Sequence, residues 1–260
     1  MKYKILISSI NGPLGYELVK NLKKNFYVIG CDSQAHGLAS NICDEFYLSP
    51  HGNKKEFLTF LKKISIKVNQ IFLFADEEIF NFSQNRNKFK NILSKILISD
   101  QKIINLCNNK LKLKEYLKNF KYDKNFFVEE YIDGKEYTVD CIYSIKNELI
   151  FTLIRERVIK SSLSIVGKIV EDKKIYDFVK KLSDKLKFIG NVNIQVIVNK
   201  KGKIFLTDIN PRISGSIIFS IKAGFNPFLY AQKVLNKKKI LIPKKIKYGK
   251  TYYRYWKTYN

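Results

Sequence analysis

The opening stretch of the chain constrains its fold more than any other feature. Residues 3–10 form a short apolar run, Asn11-Gly12-Pro13-Leu14-Gly15 turn the chain, and residues 16–24 place Leu18, Val19 and Leu22 at helical spacing. Residues 26–31 are a second apolar run, closed by Asp32. Strand, glycine turn, helix and strand with a terminal acid is a β-α-β unit of Rossmann type, which demands parallel strands and a right-handed crossover. The rhythm continues with a helix over 56–64 and a strand over 70–74, and Asp76-Glu77-Glu78 follow at the carboxyl end of that strand. Open α/β sheets collect ligands at such ends. Further expectations are a helix over 87–93, a short strand over 95–99 and one helix over 101–119.

From residue 126 the pattern changes to strand runs in hairpin-sized pairs: 126–131 with 137–143, then 149–158. A helix over 172–186 intervenes before 191–198 and 204–209, which flank Asn199-Lys200-Lys201-Gly202. Strands following a β-α-β region predict an α/β protein whose second domain is α+β, with residues 1–103 in the first domain and 104–260 in the second.

The formal charge of +25 raises a polyanionic partner. The excess is spread along the chain as lysine, together with abundant Asn, Ile, Tyr and Phe. That is the signature of compositional drift, so no specific nucleic-acid partner is expected. Only Arg86, Arg155, Arg157, Arg212 and Arg254 are arginines among 48 basic residues, so each marks a place where a planar, two-pronged donor is needed. The cysteines Cys31, Cys43, Cys107 and Cys141 show no paired spacing, which predicts neither a disulfide framework nor a zinc site and fits a reducing cytoplasm. No apolar run approaches a membrane span, and the N-terminal one is too short for a signal peptide. His36 and His51 lie in loop-like stretches.

Chemistry concentrates in the last hairpin. If its turn holds an even number of residues, Asn193 and Gln195 share a face with Asp208 and Asn210. Carboxylate and amide oxygens are ligands that Mg²⁺ accepts, usually with phosphate oxygens completing the shell. Arg212 follows closely enough to hold a phosphate or carboxylate with its fork.

Asn193-Ile194-Gln195-Val196, a hairpin, then Asp208-Ile209-Asn210-Pro211-Arg212 and Ser214-Gly215 resemble the metal and phosphate motif of the ATP-grasp family, particularly its carbamoyl-phosphate-synthase-like branch. Phe127-Val128-Glu129-Glu130-Tyr131-Ile132-Asp133-Gly134 with Glu136 looks like that family's adenine hinge. The likeness continues through Arg155-Glu156-Arg157, Ala223-Gly224-Phe225-Asn226-Pro227 and Arg254-Tyr255-Trp256. The resemblance implies a Rossmann-like pre-ATP-grasp domain followed by an ATP-grasp domain. It places ATP on the hinge at Glu129, Glu130, Tyr131 and Ile132, with Glu136 on the ribose. Mg²⁺ falls to Gln195, Asp208 and Asn210, and the transferred phosphate to Arg212. Arg155 and Arg157 become anion contacts facing the cleft. The implied reaction phosphorylates a small carboxylate so that an amine displaces phosphate, and it is compatible with a homo-oligomer.

The sequence departs from the family pattern twice. Asp208 stands where the family usually has Glu, which favours one metal ion over two. Residues 118–126 replace an insert of several dozen residues that clamps the ATP phosphates, so a nucleotide-binding regulatory or scaffolding subunit is the alternative. A nicotinamide-dependent enzyme built on Ser9, Gly12, Gly15 and Asp32 is a third reading, weakened by an incomplete glycine pattern.

Overall fold

The computed structural model describes residues 2–117, 131–160, 164–243 and 245–255. Its first half is a parallel α/β layer. Tyr3–Ile7 (β1) passes through Gly15–Leu22 (α1) to Phe26–Asp32 (β2), then Leu38–Ile42 (α2), Glu45–Leu48 (β3), Lys55–Ser65 (α3) and Gln70–Phe72 (β4). The strands order as β3-β2-β1-β4, all parallel. Gly15 is required where the first crossover begins, because a Cβ there would meet the Ile10 carbonyl oxygen at 1.6 Å.

Asp76–Asn85 (α4) starts just beyond β4, followed by a 3₁₀ turn (Arg86–Phe89) and the short Lys90–Leu93 (α5). Two expectations fail here. Residues 95–99 are not a strand; the Ile71 N–H reaches the Lys95 carbonyl at 2.9 Å and the apolar run then packs as irregular chain, with Ile96 and Ile98 buried. The single helix over 101–119 is instead Gln101–Asn108 (α6) and Lys110–Tyr116 (α7), because Asn109 leaves helical geometry and its side chain caps the second helix by accepting from the Lys112 N–H. The division at residue 103 falls inside α6.

The second half is a six-stranded sheet in the order β10-β7-β6-β5-β8-β9. Its members are Gly134–Tyr143 (β5), Leu149–Lys160 (β6), Ser164–Val170 (β7), Gly190–Asn199 (β8), Ile204–Asn210 (β9) and Thr251–Tyr253 (β10), all paired antiparallel. The expected partner of β5 at 126–131 lies largely outside the described residues; β5 pairs with β6 and β8. Lys173–Lys185 (α8) covers one face, packing Ile175 and Val179 against Ile194, Val196 and Ile209. The other face meets Ile217–Ala223 (α9), Pro227–Leu235 (α10) and the first sheet. One core cluster runs from Ile5 and Phe72 through Leu153 to Phe225 and Phe228, so the two sheets share buried apolar surface.

Candidate functional site

The site is built on the face of the second sheet that turns away from α8. Gln195 lies opposite Asp208 and Asn193 opposite Asn210, so the four side chains share a face. The means differs from the expectation of an even turn. Val198↔Ile204 and Val196↔Leu206 keep one register, the register shifts between Gln195 and Val196, and Thr207 is the extra residue. Ile204, Leu206 and Ile209 all join the α8-side core, and the three-residue step from 206 to 209 on one face is possible only across a bulge. The bulge turns Asp208 and Asn210 onto the face of Gln195.

Alternation adds β5 and β6 to this face: Thr138 lies opposite both Gln195 and Arg155, and Asp140 opposite Asn193. Beneath the surface, Arg155 is fully buried and grips Asp140 through Nε at 3.0 Å and Nη2 at 3.2 Å. Asp140 also accepts from Asn193 Nδ2 at 3.2 Å and from Ser220 Oγ, while Arg155 Nη2 donates to Ser214 Oγ at 2.9 Å. The expectation that Arg155 faces the cleft is therefore corrected: its fork is used in the core. Asn193, turned into the same network and nearly buried, leaves Gln195, Asp208 and Asn210 at the surface of the group.

Those three, with Arg212, Asp76, Lys110 and Cys107, line a cavity of about 350 Å³. Arg157 donates to Gln195 Oε1 at 3.0 Å and lies 3.5 Å from Glu136. Burial lowers the Arg157 pKa and Arg155 beside it acts in the same direction, with Glu136 opposing. Asn210 donates through Nδ2 to Asp208 Oδ2 at 2.9 Å. Arg212 forks onto the Asp76 carboxylate, its Nη2 at 2.9 Å. Burial, with the charge of Asp208 adding, pushes the Cys107 thiol to about 12, so this wall of the cavity is a neutral thiol and no nucleophile.

One carboxylate and two amide oxygens are hard donors that suit Mg²⁺. No cluster of three or more His, Cys, Asp or Glu side chains able to hold a metal occurs among the described residues. The set fits an ion shared with phosphate oxygens and does not fit a dedicated protein cage. Of the hinge positions, Glu129 and Glu130 lie outside the described residues, Tyr131 is exposed and Ile132 half-buried. At the carboxyl edge of the first sheet, Asp32 is occupied by the Asn11 N–H at 2.8 Å and the Gln34 N–H at 2.9 Å, which removes the acid that a dinucleotide ribose would need.

Two residues had no assigned role in the sequence reading. Asp76 gave no signal beyond its place after β4. Arg254 on the β10 side gave one, its rarity: its guanidinium lies 5.7 Å from the Phe219 ring centre and donates to the Gly215 carbonyl at 3.1 Å, and burial lowers its pKa with Arg155 adding.

Known proteins resemble this chain in sequence over the second half and in fold over nearly all of it. Residues 122–252 match the family described as ATP-grasp in the biosynthetic pathway with Ter operon. Among solved structures, N5-carboxyaminoimidazole synthetase from Staphylococcus aureus in complex with ADP is similar at a TM-score of 0.71 and 15% identity, over 93% of this chain and 79% of that one. Phosphoribosylglycinamide synthetase from Anaerococcus prevotii gives 0.67 and 15%, over 96% and 80%. The biotin carboxylase domain of the Hydrogenobacter thermophilus 2-oxoglutarate carboxylase, with MgADP, ADP and bicarbonate, gives 0.69 and 12%, over 96% and 74%. The likeness extends over both sheets, and the matched segment contains the bulged strand pair with its polar face: the chain belongs to the ATP-grasp family.

Proposed function

We propose that the protein is an ATP- and Mg²⁺-dependent ligase that converts a small carboxylate to an acyl phosphate for attack by an amine. The observation that carries this reading is the joint placement of Gln195, Asp208, Asn210 and Arg212 on one cavity beside Arg157 and Glu136. In this reading the γ-phosphoryl group passes from ATP to a carboxylate oxygen, releasing ADP; the amine nitrogen then bonds to the acyl carbon and phosphate leaves. Gln195, Asp208 and Asn210 would hold the ion, which when bound neutralises phosphate charge. Arg212 steadies the transferred group, Arg157 orients Gln195, Glu136 meets the ribose, the backbone at Glu130, Tyr131 and Ile132 takes the adenine edge, and Glu129 meets its exocyclic amine. Arg155 acts from beneath by fixing Ser214. The solved relatives with ADP and with MgADP and bicarbonate support this assignment. Four free thiols fit a reducing, cytoplasmic setting.

The nine-residue stretch at 118–126 favours a second reading, a nucleotide-binding regulatory or scaffolding subunit. Calorimetry with ATP-Mg²⁺, then phosphate release from a panel of carboxylates with hydroxylamine as the trapping amine, decides between them. A ligase yields hydroxamate; nucleotide binding without turnover favours the regulatory subunit; no nucleotide binding refutes both.

A further inference from the structure

A second cavity, of about 420 Å³, opens between the first glycine turn and the β10 edge. The segment from Arg212 to Gly215 separates it from the first: Arg212 lines one cavity, and Arg254, bonded to the Gly215 carbonyl, lines the other. Leu14 and Leu38 form one wall, while Phe219 and Tyr252 stack at 6.2 Å and 22° on the other. Its volume is in the range of small-molecule sites.

Several polar groups here are committed. Asn11 donates to the Gln34 carbonyl and accepts from the Ser40 N–H, Glu17 pairs with Lys222 at 3.6 Å, and the Tyr252 hydroxyl donates to the Lys222 carbonyl. Arg254 is half-buried beside Arg155, has no acidic partner among the described residues, and its buried Nη1 lacks any hydrogen-bond acceptor there. A partly buried cation without a counter-charge is a place for an anion.

We infer that this cavity binds an aromatic carboxylate, its ring on the Leu14, Leu38, Phe219 and Tyr252 walls and its carboxylate at Arg254. This binding does not depend on the ligase reading. Flat rings gain from stacking and edge contacts with Phe and Tyr that an aliphatic chain of equal area does not make.

The test is titration of the full-length protein with indole-3-acetate, gluconate and indole-3-methanol, with ATP-Mg²⁺ titrated separately. Only indole-3-acetate is expected to bind. Arg254→Gln is expected to weaken it about tenfold or more. Leu38→Asp, at a position 42% exposed and so tolerant for folding, puts a like charge on the wall and abolishes it while ATP-Mg²⁺ affinity stays unchanged. Gluconate binding as tightly as indole-3-acetate, unaltered affinity in Leu38→Asp, or no binding of indole-3-acetate with or without ATP-Mg²⁺ overturns the assignment. Indole-3-acetate binding without any ATP-Mg²⁺ binding would keep the site and remove the ligase reading; the reverse outcome would do the opposite.

Discussion

Asp140 and Arg155 sit almost wholly out of water, and each is tolerable only because the other is present. Arg155→Met leaves a buried carboxylate with Asn193 and Ser220 as its remaining partners. It is expected to cost about 3–5 kcal/mol, read from urea unfolding, whereas Asp140→Leu with Arg155→Met recovers most of that loss. A double variant as unstable as the single one would mean that the pair is not the cause. Asp208 is the contrasting case. It is half-buried at a cavity wall, so Asp208→Ala is expected to leave the melting temperature of the free protein nearly unchanged and to abolish the stabilisation by ATP-Mg²⁺. Equal ATP-Mg²⁺ shifts in variant and parent would remove Asp208 from the metal set. Arginine scarcity was a legible signal because it located every guanidinium that does specific work. It could not say whether the fork's partner is a ligand or a core carboxylate, since both demand the same planar donor.

The hairpin of β8 and β9 shows what a strand pattern can and cannot announce. The alternation of polar and apolar residues is plain in each strand separately. Their relative facing depends on one extra residue, and Thr207 looks like any other strand threonine in the sequence. Gly202 at the turn is easier to read, with φ of +75°. Gly202→Ala is expected to cost about 1–2 kcal/mol, seen as a lower urea midpoint with unchanged slope. β3, α9 and β10 escaped the sequence reading because they are short and take their stability from packing against other elements, and the run at 95–99 looked strand-like because buried irregular chain needs the same apolar side chains. The first turn of α4 carries a further test. Burial holds the Glu78 carboxyl above its ordinary range, although Ser8 and Ser9 and the N–H groups of Phe74 and Ala75 donate to it and pull the other way. The folded state thus binds the proton more tightly than the unfolded chain. The resulting stabilisation is complete below the unfolded value of about 4.3 and is lost as pH rises through the raised folded value. Calorimetry on parent and Glu78→Gln should show the parent's advantage shrinking from acid towards neutral pH; a constant or growing difference would show that the donors outweigh burial.

At the scale of the molecule, the two halves are joined by shared core and, among the described residues, by two ion pairs, Glu17–Lys222 and Asp76–Arg212, the second across the first cavity. The core was legible in part, since glycine turn, helix and strand announced the first sheet and strand pairs the second. The contact was not, because Asp76 and Arg212 are 136 residues apart and the motif around Arg212 points to an anionic ligand and not to Asp76. Arg212 presents its fork to Asp76 in the same cavity where the proposed function needs it for phosphate. The carboxylate therefore competes with the incoming anion for the guanidinium, and the two cannot both take its bidentate edge. Asp76 is about half exposed, so the pair's strength is that of a surface ion pair, roughly 0.2–1 kcal/mol. Asp76→Asn keeps size and hydrogen-bonding capacity and removes the competing charge. It is expected to tighten ATP-Mg²⁺ binding by up to about fivefold at low ionic strength, with the gain shrinking as salt screens the pair. Calorimetric titration at two salt concentrations checks both parts. Weaker nucleotide binding in Asp76→Asn would show that Asp76 holds Arg212 in its working position, and the competition would be refuted.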